Sequence, residues 1–168
     1  MTSPVLYVIA CAAPPAREVG TLIAAAQRDG WTTCLLVTPS VVRFIDVAGL
    51  AAQTGYPVRS QYKDPGEPDV LPPPDAIIVA PATVNSVNKW AAGICDTLAL
   101  GILVEAIGLK LPIVAVPWSN AAHRAHPAFA ENVGKLRSWG VRVLDDAYAD
   151  EPPVREFPWA RALDALRA

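Results

Sequence analysis

Basic charge is scarce in this chain. Its 14 Lys and Arg residues stand against 16 Asp and Glu, a formal net charge of −2. No predicted helix carries a cationic face, which argues against nucleic acid as a partner. Charged residues make up 18% of the 168 while hydrophobic ones make up 52%, a balance incompatible with disorder. Long apolar runs are missing as well. The run at 5–10 is short and has no positive charge before it, and the tract at 97–104 stops at Glu105. Neither a signal peptide nor a membrane span is therefore expected. Cysteine is limited to Cys11, Cys34 and Cys95, an odd, widely spaced set without Cys-x-x-Cys. Such a set fits small buried hydrophobes in a cytoplasmic protein rather than a disulfide framework.

Glycine is absent before Gly20. The first strand-exit loop is thus not the G-x-G-x-x-G dinucleotide fingerprint, and an ordinary NAD-dependent oxidoreductase is disfavoured. The only histidines, His123 and His126, have no cysteine or carboxylate beside them before Glu131, too few ligands for a metal site. No G-x-S-x-G elbow supports a hydrolase.

What is present reads as one domain over 1–168, large enough to bury about 70% of its unfolded surface. Short apolar runs at 5–10, 33–38, 76–80, 113–116 and 141–144 read as buried strands. Helical spacing joins them: Pro15 opens a helix stopped by Gly30, and Ser40 caps one ending near Gly55. Further helices are expected over 83–92, from Asp96 to about Lys110, over 127–139 and from about Pro158 in the closing segment 151–168. Strands alternating with helices give the fold class: a three-layer α/β/α, Rossmann-like (flavodoxin-like) parallel sheet. The Pro-rich stretch 55–75 breaks the rhythm as a long loop, with a short strand expected near Val58–Tyr62. The helix after Asp96 has one charge, Glu105, between its ends, and its apolar surplus, with Trp90 and Trp118, suggests a homo-oligomer.

Open parallel sheets bind ligands at the carboxyl ends of their strands. Three such ends are notable here. Cys11–Pro15 is glycine-free. Thr83, Asn85, Ser86 and Asn88 gather neutral hydrogen-bonding groups at a helix start, which suits either a polar neutral ring or a plain N-cap. The third, 116–127, holds Ser119, Asn120, His123 and His126.

The string APATVNSVNKWAAGICDTL at 80–98 closely resembles the A-P-A-T-A-N-T-x-x-K-x-A-x-G-x-x-D-x-L signature of the homo-oligomeric flavin-containing cysteine decarboxylases. PWSN at 117–120, with Pro127, Ala128 and Asn132, resembles the family's P-x-M-N…P-A…N. TPSVVRF at 38–44 resembles its T-x-x-A-x-x-F turn. The resemblance covers roughly residues 5–144. It implies FMN, with Cys11, Ala12 and Ser40 near the phosphate, Phe44 close to the cofactor and Thr38 among the cofactor-binding residues. Pro81, Ala82, Thr83, Asn85 and Ser86 would line the isoalloxazine or ribityl side. It also implies a small-molecule or peptidyl substrate and a trimer or dodecamer.

The chain departs from that family at its chemistry. Eight residues before Asp75, where the family has its catalytic His, stands Glu67. No Cys-bearing clamp follows Leu144, and His123 replaces a Met. The resemblance therefore points to Asn120 as the group that holds a substrate carboxylate or polarises an oxyanion, with His123 taking over proton transfer. A non-catalytic flavin-binding or regulatory role is the alternative.

Overall fold

The computed structural model describes residues 3–147 and 156–167. The expected strands form one parallel sheet. β1 (Val5–Ala10), β2 (Thr32–Val37), β3 (Ala76–Ala82), β4 (Ile113–Pro117) and β5 (Val141–Val143) lie in the order β2-β1-β3-β4-β5. In β1, Leu6, Val8 and Ala10 enter one core and Tyr7 and Ile9 the other. A strand apolar on both faces must be covered on both. Helices α1 (Val19–Arg28), α2 (Val47–Thr54) and α7 (Trp159–Arg167) pack on the first face. On the other lie α3 (Val84–Ala91), α4 (Leu98–Gly108) and α6 (Pro127–Ser138), while the short α5 (Ala121–Ala125) precedes α6. The three-layer architecture is as expected.

Several local expectations are corrected. Ser40 caps no helix: residues Pro39–Arg43 form a 3-10 turn, and α2 starts later, where the Asp46 carboxylate accepts from the Gly49 amide at 3.0 Å. Pro39, followed after Ser40 by β-branched Val41 and Val42, favours the short tight turn over a full α-helix. Likewise Thr97, not Asp96, caps α4 through the Leu100 amide, because Asp96 is drawn to Lys89 at 2.5 Å. The strand expected near 58–62 is a single bridge, Arg59 to Leu36. Trp90 is no subunit contact. It is buried, and its indole N–H donates to Leu103 O at 3.1 Å, pinning α3 to α4. Trp118 is half-buried and packs on Phe157 across the opposite face. The closing helix occupies Trp159–Arg167; the remainder of 151–168, apart from 156–158, lies outside the described residues.

The Pro-rich stretch forms a strap. Residues 61–70 are all exposed, so the strap hangs from few points: the Arg59 amide on Leu35 O (3.1 Å), Tyr62 Oη on Cys95 O (3.0 Å) and Tyr7 Oη on Pro72 O (2.8 Å). The Tyr62 hydroxyl lies against Gly101, where any Cβ would overlap it. Strap and α4 bound a cleft of about 810 Å³, with Tyr7, Leu36, Leu71, Ile102 and Leu111 among its walls.

Burial pushes the Tyr7 hydroxyl up to about 12 and the Cys34 thiol up to about 11. Both groups keep their protons longer folded than unfolded, so the unfolded chain releases them first and is favoured as pH rises. Stability measured by denaturant titration should fall between about pH 9 and pH 12. Tyr7→Phe should flatten the upper part of that fall.

Candidate functional site

β1 has β2 on one side and β3 on the other. The loop leaving β1 runs to α1 on one face, and that leaving β3 runs to α3 on the opposite face, which opens a crevice between the two carboxyl ends. Backbone bonds tie the exit loops edge to edge. The Thr38 amide donates to Ala10 O (3.0 Å), the Cys11 amide to Pro81 O (2.9 Å) and the Trp118 amide to Ala82 O (2.7 Å). The structure thus brings Cys11, Thr38, Thr83 and the start of the 118–123 loop to one edge of the sheet. The Ala80-Pro81 peptide is cis, and the pairing of β3 with β4 shifts register between Val79 and Ala82.

At the end of β3, Thr83 caps α3: its hydroxyl accepts from the Ser86 amide at 3.3 Å and bonds the Ser86 hydroxyl at 3.1 Å. Pro81, Ala82 and Ser86 are buried, Thr83 is half-buried and Asn85 is exposed. The Cys11 thiol completes this cluster. Its burial raises its pKa, against hydrogen bonds from the Ser86 hydroxyl and from the Thr83 amide and hydroxyl. The group is neutral throughout. Because Ser86 and Thr83 serve each other and Cys11, the donors left over are the Asn85 side chain and the first-turn amides of Val84 and Asn85, which have no intrahelical acceptor.

Ser40 is exposed, and Ala12, Thr38 and Phe44 are half-buried. The Arg17 guanidinium lies 5.9 Å above the Phe44 ring, so the turns after β1 and β2 touch. The sequence carries no local signal for this contact, since Arg17 and Phe44 lie on separate turns. The glycine-free loop needs no glycine for its backbone, since among the described residues the positive-φ ones are Lys110 and five glycines elsewhere.

In the third loop Asn120 caps α5, its Oδ1 accepting from the His123 amide at 2.8 Å. Its NH₂ is thereby the free end. His123 is exposed, with Nδ1 3.5 Å from the Ser119 hydroxyl. His126 caps α6 through the Ala128 amide, and among the described residues no cluster of metal-ligating side chains exists. Glu67 sits in the strap and accepts from the Asp64 amide at 3.1 Å, closing its own turn. Asn132, from the motif that begins with PWSN, donates to Asn88 at 2.9 Å and pins α6 to α3.

The Flavoprotein family model matches residues 25–157. The chain belongs to the Flavoprotein family. The coenzyme A biosynthesis bifunctional protein CoaBC of Mycobacterium bovis is 33% identical over 117 residues, 67% of this chain and 27% of that protein. Phosphopantothenoylcysteine decarboxylase of Mus musculus is 38% identical over 66 residues, 39% of this chain and 32% of that one. The chain thus spans about a third or less of the length of these curated relatives by alignment. Among solved structures, peptidyl-cysteine decarboxylase EpiD superposes with a TM-score of 0.78 at 21% identity, covering 99% of both chains. The FMN-dependent cysteine decarboxylase SpaF gives 0.75 at 23% identity, covering 99% of this chain and 98% of its own. These likenesses confirm the fold expected of the flavoprotein.

Two outcomes test this description of the flavoprotein's site. Thr83→Ala removes the cap of α3 and should cost about 1 kcal/mol in denaturant unfolding. In the native protein a thiol reagent should label Cys95, the exposed cysteine, and leave Cys11 and Cys34 untouched until the chain unfolds.

Proposed function

We propose that this flavoprotein binds FMN in the crevice between β1 and β3 and acts on a small-molecule or peptidyl substrate of the cysteine type. The observation that carries this reading is the neutral cluster of Cys11, Thr83 and Ser86 at the switch point of the sheet. An isoalloxazine offers carbonyl and ring-nitrogen acceptors and no fixed charge, and the uncommitted amides and the Asn85 side chain at this edge match it. Pro81, Ala82 and Ser86, being buried, would shape the seat, while Thr83 and Asn85 would meet the ring or ribityl chain. Cys11, Ala12, Thr38 and Ser40 would lie toward the phosphate, with Phe44 beside them.

When bound, FMN supplies a two-electron acceptor. The chain's own part is to hold the substrate. With its Oδ1 spent on the His123 amide, Asn120 presents only N–H donors, which suits a carboxylate or a developing oxyanion. His123 keeps Nε2 open to solvent and would take or return a proton there. Tyr62, Val70 and Leu109 stand exposed around the strap cleft, an apolar rim that supports assembly into a trimer or dodecamer. Buried, unpaired thiols suit the cytoplasm.

One observation favours a second reading, a non-catalytic flavin-binding or regulatory homologue. Position 67 carries a carboxylate engaged in its own turn. Purified protein should be yellow and show flavin absorbance. Bleaching of that absorbance by a cysteinyl substrate without oxygen supports catalysis, whereas an inert yellow protein supports the carrier. If catalytic, Asn120→Ala should lower turnover about 100-fold or more, and His123→Leu should lower turnover while leaving flavin absorbance unchanged. A colourless protein that cannot be reconstituted with FMN overturns both readings.

A further inference from the structure

We propose that Arg17 holds the phosphate of FMN and is the residue by which this chain would prefer FMN to riboflavin. The proposal rests on the flavin seat argued above.

Counting amide donors leads to it. In the loop leaving β1, the Cys11 amide is committed to Pro81 O, that of Ala13 to Cys11 O (2.8 Å) and that of Ala16 to Ala13 O (2.9 Å). Pro14 and Pro15 have no amide hydrogen. In the loop leaving β2, the Thr38 amide goes to Ala10 O and the Val41 amide to Thr38 O (2.9 Å), and Pro39 again has none. From both loops only the amides of Ala12 and Ser40 and the hydroxyls of Thr38 and Ser40 remain. A phosphate monoester carries nearly two negative charges and three strong acceptor oxygens. Four neutral donors can bond it but cannot neutralise it, and the cluster at β3 brings no positive charge.

Arg17 is placed to do so. Pro15 and Ala16 are buried, which fixes the turn Pro14–Glu18 with Arg17 on its outer side. Its guanidinium lies over Phe44, on the turn that begins at Pro39 and carries Ser40. A cation–π contact consumes no N–H donor. Among the described residues Arg17 has neither a side-chain hydrogen bond nor a carboxylate partner, so its planar fork is free for bidentate recognition of phosphate. Glu18 and Arg43 are the other charged groups on these two turns, and neither is ion-paired among the described residues. Arg43 closes the second turn, beyond Ser40, and serves as the control.

The test is titration of the apoprotein with FMN and, separately, with riboflavin, followed by flavin fluorescence. Wild type should bind FMN more tightly, with the preference shrinking as salt rises. Arg17→Gln should weaken FMN about tenfold to 100-fold and leave riboflavin unchanged, while Arg43→Gln changes neither. Arg17→Lys keeps the charge without the fork; if Arg17→Gln does not fold, a smaller loss confined to FMN in this variant supports the same role. Equal weakening of both flavins, an equal effect from Arg43→Gln, or wild type holding riboflavin as tightly as FMN overturns the role of Arg17 while the flavin seat stands. Wild type that binds neither flavin removes the seat, and this proposal with it.

Discussion

Every side chain at the candidate site hangs from a parallel sheet whose pairing continues past the ends of its strands. The bonds from Thr38 to Ala10, Cys11 to Pro81 and Trp118 to Ala82 lie where three apolar strands leave a core that admits almost no solvent. A buried amide there has no water to turn to, so each bond must be made or its cost carried in full. That obligation sets the exit loops side by side and fixes the direction in which each one departs. The crevice between β1 and β3 follows from it, because one loop must rise to α1 and the other to α3.

The same bonds decide what the site can offer. Amides spent in holding the loops together are not available to a ligand, and the prolines at 14, 15 and 39 withdraw three more. On the β3 side the side chains Cys11, Thr83 and Ser86 are occupied with one another. The mouth is therefore well shaped and poorly charged. Neutral donors suit a flavin ring. A charged tail needs something the backbone does not provide, and the proposed counter-charge is the cation over Phe44.

How much of this was legible in the sequence varies with the kind of constraint. The strands were readable because burial on both faces forces runs such as AIIVA and VLYVIA, and the sheet order then fitted the alternating pattern. Thr83 as a cap was readable for the same reason any hydroxyl before a helix is. The errors fell where two groups competed for one role. Ser40 and Asp46 both precede helical spacing, and Asp46 wins because the proline and β-branched residues of 39–42 favour a tight turn. Asp96 and Thr97 both suit a cap, and Lys89, seven positions earlier, takes Asp96 away. Trp90 looked like surplus apolar surface, yet its indole N–H finds Leu103 O inside the fold. No local pattern announces a pairing between distant residues, and Arg17 over Phe44 went unread for that reason.

Position 67, where the resemblance implies a histidine, lies in a segment the fold does not constrain. The strap is held through Arg59, Tyr62 and Tyr7, and none of these contacts passes through position 67. Glu67 merely closes a turn around Gly66, whose φ of 90° already sets that bend. A histidine could stand there without disturbing the sheet, so its absence is not a price of stability. The signature at 80–98 is different in kind, because it also builds structure. Thr83 caps α3, Lys89 holds Asp96, and Trp90 locks α3 to α4. Retention of that string would be expected on structural grounds alone, so it speaks for the scaffold more than for turnover. The distinction between enzyme and carrier therefore rests on the third loop. Capping uses Asn120 Oδ1 and leaves its NH₂ beside an exposed His123, an arrangement that a cap formed by serine or aspartate would not produce.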